Sequence, residues 1–232
     1  FMPAGTTFTN VAPPFYNGWT TYGDPGYAII PQYNQDSTGR INLQAMISSG
    51  TNTDGTAMFI MPANLRPTLY AHLPANVCGS YGVFAVDRTL TGEIESKAGG
   101  NCWHSLHTIY YSDARASGGT YNTSVCTTQW CNLPLVNSWV YYGAPFSTVE
   151  YTKASDNMVS LKGLIRAGTV TGDTIMATLP SGYRPAQRLL IPIVSSGALG
   201  RLDILPDGTV RFEIGSNGWL SLDNIIFMAD GN

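Results

Sequence analysis

Few side chains in this sequence are equipped for chemistry, and their spacing says what kind. Cys102, His104 and His107 lie close together along the chain, as metal ligands often do. On a strand, however, positions 102 and 104 share a face while 107 points away. The three do not converge, and no metal is expected. Glu93 and Glu95 fall on one side of a strand, about as far apart as a glycosidase pair. No nucleophile elbow, phosphate-binding glycine loop or HExxH pair occurs. The expectation is a chain that is not an enzyme and carries no cofactor. A second group is suited to contact rather than catalysis. Trp130, Tyr110 and Tyr111, with His104 and His107, offer flat rings that stack on the apolar face of a sugar while polar neighbours bond its hydroxyls.

The elements that must position these side chains come from a sequence that repeats itself. Residues 13–23, PPFYNGWTTYG, lie over 133–143, LPLVNSWVYYG. RINLQAMISSG at 40–50 lies over MVSLKGLIRAG at 158–168. MPANLRP at 61–67 lies over LPSGYRP at 179–185, and WHSLHTIYY at 103–111 over WLSLDNIIF at 219–227. The block order is kept, and the offset drifts only from 120 residues (Trp19 to Trp139) to 116 (Trp103 to Trp219). This argues for a duplicated unit. The expected division is a connecting segment at 1–12, a first unit at 13–111, a linker at 112–132 and a second unit at 133–232. The linker is rich in Ser, Thr, Gly and Asn.

Each unit reads as strands. Val159, Leu161, Gly163 and Ile165 alternate with Ser160, Lys162, Leu164 and Arg166, a period of two. Leu202 and Ile204 are expected to pair with Val210 and Phe212 around a Pro206-Asp207-Gly208 turn. Short strands between Gly/Pro turns predict an all-β fold of two tandem antiparallel β-sandwich, jelly-roll-like domains.

Composition narrows the function. Charged residues are only 12% of the chain, roughly half the usual share, so its polar surface is built from Thr, Ser, Asn, Gln and Gly. The formal net charge of −3 supplies no pull toward nucleic acid or an anionic membrane. No apolar run approaches the roughly 20 residues that span a bilayer, so no membrane insertion is expected. The start, Phe1-Met2-Pro3-Ala4, does not read as a signal peptide. For Cys78, Cys102, Cys126 and Cys131 the expectation is free buried thiols, as in a reducing cytoplasm. The alternative is one or two disulfides, with Cys126–Cys131 closing a short loop and Cys78–Cys102 as the other candidate.

Repetition also sorts structure from function. Trp19/Trp139, Trp103/Trp219 and Arg66/Arg184 occur in both units, which points to framework roles. Glu93 and Glu95 have Thr209 and Arg211 as counterparts, which reads as a solvent face. Trp130, His104 and His107 have no equivalent, and Tyr110 and Tyr111 stand where the second unit has Ile226 and Phe227. These five are the candidate ligand-binding residues. The loops at 195–199 and 215–217 are rival candidates at the tip of the second unit.

VSLKGLIRAGTVTGDTIMATLPSGYRPAQ from Val159, followed by LDILPDGTVRFEIGSNGWLSLDNIIF from Leu202, resembles a module at the C-terminal ends of bacteriophage tail fibres and receptor-binding proteins. The match covers nearly all of 139–228. The first unit resembles a diverged copy, with Asn64-Leu65 for Gly182-Tyr183 and WHSL for WLSL. The resemblance implies a homotrimeric β-sandwich head on the virion exterior, made in the host cytoplasm. It implies partners among the other fibre, baseplate or capsid proteins, and attachment to host-surface polysaccharide. It brings no set of binding residues. A purely structural connector or decoration protein, or a glycan-cleaving enzyme, are the alternative readings.

Overall fold

The computed structural model describes residues 9–10, 14–23, 30–35, 40–67, 70–87, 92–111, 130–154 and 157–230. Among them there is no α-helix, and a single 3-10 turn, Ala63–Leu65, interrupts the strands. The chain divides into two compact units, Phe1–Arg115 and Ala116–Asn232. Most of the stretch expected to link them, 112–129, lies outside the described residues.

Each unit is a sandwich of a four-stranded and a seven-stranded antiparallel sheet. In unit 1 the larger sheet runs Thr20–Thr21, Met46–Ser48, Trp103–Ser105, Ala71–Val77, Ser80–Val86, Glu93–Ala98, Thr56–Ile60 from edge to edge. In unit 2 it runs Val140–Tyr141, Leu164–Arg166, Leu220–Ser221, Leu189–Ser195, Ala198–Ile204, Thr209–Ile214, Thr174–Thr178. The smaller sheets, in the same sense, are Thr9–Asn10, Gln32–Gln35, Arg40–Gln44, Thr108–Tyr111 and Cys131–Asn132, Glu150–Lys153, Met158–Lys162, Ile225–Met228. The order is the same strand for strand. Irregularities match as well: the register shifts between Val83 and Phe84 in one unit and between Arg201 and Leu202 in the other.

Alternation explains most of the core. Ile41, Leu43 and Ile47 pack with Trp19, Phe59, Phe84 and Ile94 in unit 1. Val159, Leu161 and Ile165 pack with Trp139, Leu202, Ile204, Phe212 and Leu220 in unit 2. The expected hairpin forms as read, Ile204 opposite Val210 and Leu202 opposite Phe212. Gly208 takes φ +88° at its tip, and the Asp207 carboxylate accepts from the Thr209 amide at 2.8 Å.

The alternating run at 159–165 is not one strand. Met158–Lys162 belongs to the small sheet and Leu164–Arg166 to the large one. The corner is Gly163, at φ +119°, where a Cβ would stand 2.6 Å from the Thr148 carbonyl oxygen. Glycine alone takes that angle without strain, so the chain changes sheets there and both Leu164 and Ile165 are buried.

The expectation of free thiols is overturned. Cys78 and Cys102 form a disulfide with their Cα atoms 5.7 Å apart, and Cys131 is disulfide-bonded too. Cys126, the remaining cysteine, lies outside the described residues. Strand pairing explains the first bridge. Cys78 ends the Ala71–Val77 strand, which pairs with Trp103–Ser105, and its amide donates to the Trp103 carbonyl at 3.0 Å. That registry holds the two Cα atoms within disulfide range.

Candidate functional site

The repeated residues build the frame. Trp19 and Trp139 are 2% and 3% exposed, and each lies flat on a glycine. A Cβ on Gly50 would stand 2.1 Å from the Trp19 ring, and one on Gly168 1.9 Å from the Trp139 ring. Asn17 donates to the Ala57 carbonyl at 2.9 Å, and Asn137 to the Ile175 carbonyl at 2.8 Å. Arg66 Nε donates to the Met61 carbonyl at 2.9 Å, and Arg184 Nε to the Leu179 carbonyl at 3.0 Å. The paired arginines thus bind loop carbonyls, as their repetition suggests. Trp103 and Trp219 are only half-buried, so they share less of the core than Trp19 and Trp139.

The candidate ligand-binding residues divide between the units, with His104, His107, Tyr110 and Tyr111 in unit 1 and Trp130 in unit 2. His104 is sealed in the core of unit 1, its ring edge-on to Trp19 at 4.6 Å and its Nε2 2.7 Å from the Gly100 carbonyl. Leu220 takes the corresponding strand position in unit 2, also fully buried. His104 therefore offers no surface to a ligand. His107 is exposed, with Nδ1 2.8 Å from the Ser105 hydroxyl. Tyr110 and Tyr111 pair with Ile41 and Arg40 in the small sheet, and their side chains lie outside the description. Trp130 is 8% exposed, with the Lys162 ammonium 4.4 Å from its ring centroid. Lys162 also pairs with Glu150 at 3.1 Å.

The tip loops of unit 2 do come together. Ser195 Oγ donates to the Ser216 carbonyl at 3.1 Å and accepts from the Ser216 amide at 2.7 Å. Asn217 reaches the Gly168 carbonyl at 2.9 Å. Ser195 itself is buried, while Leu199 and Ile214 beside these loops stand exposed.

Two clusters escaped the sequence. Glu95 is 6% exposed and does not sit on an open solvent face. Its carboxylate accepts from Tyr70 Oη at 2.6 Å and pairs with Lys97 Nζ at 2.6 Å, and the Tyr70 ring stacks on His72. Burial and the Glu95 bond push the Tyr70 hydroxyl well above its ordinary range. Burial, then the charge of Lys97, lowers His72 to about 4. Asp87 and Glu93 each place a carboxylate oxygen within 4.8 Å of Glu95. In unit 2 the same rows hold Arg188, Arg201 and Arg211 around Asp203, Glu213 and Asp173. Comparing aligned positions for charge would have flagged the contrast, since Glu95 faces Ala85 where Arg211 faces Asp203.

Unit 2 also holds a cleft of about 340 Å³ lined by Asn132, Leu133, Leu135, Trp139, Val140, Tyr141, Thr148 and Val149. It combines an aromatic wall with Asn132 and Thr148 as polar groups. Trp19 Nε1 donates to the Thr51 carbonyl at 3.2 Å, whereas the buried Trp139 Nε1 has no partner among the described residues.

No family model matches the chain, and no curated protein does. One solved structure is similar, that of the receptor-binding protein of Listeria phage PSA. It is 22% identical, the match covers 44% of this chain and 65% of that one, and the TM-score is 0.37. Among the described residues no helix is long and apolar enough to cross a membrane.

Proposed function

We propose that the chain is a virion receptor-binding module, assembled as a homotrimer, that attaches to host-surface glycan without cleaving it. The observation that carries this reading is the pairing of two like frames with unlike surfaces. The motifs that resemble phage fibre heads, LPSGYRP and WLSL, lie in this frame, where Arg184 ties its loop to Leu179. A rigid frame with variable surroundings is the arrangement binding proteins use. The cleft of unit 2 is the place we assign to the sugar. Its volume is at the small end for a ligand site, Tyr141 supplies aromatic surface, and Asn132 and Thr148 supply hydrogen bonds. Trp130 precedes Asn132 by two residues in the chain. Three copies on one fibre multiply weak sugar contacts through avidity.

The test is adsorption of labelled protein to a panel of bacterial cells before and after periodate oxidation of their surface sugars. The expected result is binding to some strains that periodate abolishes, weakened at least several-fold by Val140→Arg at the half-exposed cleft rim. Binding that survives periodate and is lost after protease treatment of the cells would replace glycan with a protein receptor.

A further inference from the structure

We propose that the glycan bound at the cleft of unit 2 carries a negative charge, a carboxylate or a phosphate, and that Arg166 reads it. The inference rests on the glycan reading above and names the class of sugar that reading leaves open.

Strand register places Arg166 beside the cleft. It lies opposite Val140, the half-exposed residue of the cleft rim. On its other side Ile165 pairs with Leu220 and Leu164 with Ser221, so the same ladder sets Arg166 alongside Trp219. Ile165 and Leu220 are fully buried, and successive residues of a strand point to opposite faces. Arg166 and Trp219 therefore point away from the core, Arg166 exposed and Trp219 half-buried. Tyr142, whose amide donates to the Leu164 carbonyl at 2.9 Å, holds the position diagonal to Arg166. Its ring centroid lies 5.0 Å from the guanidinium carbon, and Phe146 packs edge-on against that ring. An arginine seated on a ring holds its fork of N–H donors in place. From Tyr142 to Trp219 is two strand spacings, about 10 Å. A sugar lying over one ring can set a charged substituent at the guanidinium between them.

Charge names that substituent. Every other cation of unit 2 meets an oxygen of its own chain. Lys153 and Arg184 are tied to loop carbonyls, Lys162 to Glu150, and Arg188, Arg201 and Arg211 to carboxylates. Among the described residues Arg166 has no such acceptor; its contact is the Tyr142 ring. A guanidinium left open in this way suits an external carboxylate or phosphate, which it meets through two parallel N–H bonds.

Unit 1 supplies an internal comparison. It keeps the aromatic residues and lacks the cation. The Tyr22 amide donates to the Met46 carbonyl at 2.9 Å, as Tyr142 does to Leu164, and Trp103 pairs with Ser48. Ser48 stands where Arg166 stands, with Thr20 opposite it in place of Val140. A neutral sugar would meet the same aromatic residues in both units. The guanidinium is what unit 2 adds, as a specificity residue on a shared scaffold would be.

The test is an array of neutral, carboxylated and phosphorylated glycans probed with the full chain and with Arg166→Gln and Arg166→Lys. The wild type is expected to score on carboxylated or phosphorylated members, with a signal that falls as salt rises. Arg166→Gln should lower it about tenfold or more with circular dichroism unchanged, and Arg166→Lys should retain part of it. Which charged set scores tells a carboxylate from a phosphate. Val140→Arg sets a bulky like charge directly opposite Arg166 and disturbs the same seat. Signal on neutral members alone, a signal indifferent to salt, or one that Arg166→Gln leaves unchanged overturns the charge reading and leaves glycan attachment standing. An array without any signal overturns both.

Discussion

Cys78 and Ser196 occupy the same hairpin turn of the two units and do the same job with different chemistry. Each has positive φ, 54° and 49°. Each amide donates to a tryptophan carbonyl, Trp103 at 3.0 Å and Trp219 at 2.8 Å. Where Cys78 bridges to Cys102, the Ser196 hydroxyl accepts from the Trp219 amide at 3.2 Å. The disulfide spans 24 residues, a loop whose closure contributes about 3 kcal/mol in the chain-entropy account. Cys78→Ser with Cys102→Ser should therefore destabilise unit 1 by about that amount and leave unit 2 unchanged. Urea unfolding followed by hydrogen exchange, read unit by unit, checks this. Equal protection of unit 1 with and without the bridge would contradict it.

Glu150 and Lys162 face each other in the small sheet of unit 2, and Gln32 and Gln44 hold the same register in unit 1. The glutamines bond to each other at 3.1 Å where the other pair forms a largely buried ion pair. Removing one partner of a buried pair strands a charge, whereas replacing both does not. Lys162→Gln alone should cost on the order of 3 kcal/mol, and Glu150→Gln/Lys162→Gln less than about 1 kcal/mol. Denaturant midpoints of the single and double variants decide between the two cases.

Gly168→Ala should cost at least about 1–3 kcal/mol, because a Cβ there would overlap the Trp139 ring. Gly172→Ala, where the nearest atom to a Cβ is 3.9 Å away, should stay within about 0.5 kcal/mol of wild type. Thermal melts of the two variants make the comparison.

The two units should respond differently to acid. Histidines 72, 104 and 107 all fall in unit 1. His72 is lowered to about 4 by burial and then Lys97, and His104 is lowered by burial. The unfolded chain therefore binds more protons than the fold, so stability present above the ordinary histidine pKa is lost as pH falls from about 6.5 toward 4. In unit 2 the lowered Asp203 keeps its contribution until the pH drops below the carboxylate range. Hydrogen exchange across that window should show unit 1 loosening first. His72→Leu, copying Leu190, should blunt the difference.

The repeats, the hairpin at Asp207 and the all-β class were legible because each leaves a local mark: a spaced block, a turn dipeptide, a period of two. The corner at Gly163 was not, because a strand that changes sheets keeps its hydrophobic pattern while its partners change. Nor was the burial of Glu95 and His104. Period-two reasoning gives the side a residue faces, not what covers that side, and here Tyr70 and Trp19 arrive from distant parts of the chain while Lys97 folds back from the same strand as Glu95. The disulfide was legible as a candidate pair only, since its registry depends on a strand pairing some 25 residues apart that spacing alone does not determine.

We propose that this chain recognises glycan and leaves it intact. The most direct measurement is a glycan array probed with the assembled full chain, run beside an assay for released reducing ends on every glycan that scores. The expected result is saturable binding to at least one glycan class, no release of reducing ends, and weaker signal from Val140→Arg. Release of reducing ends would make the protein an enzyme, and an array without binding on any glycan would leave the attachment reading without its ligand.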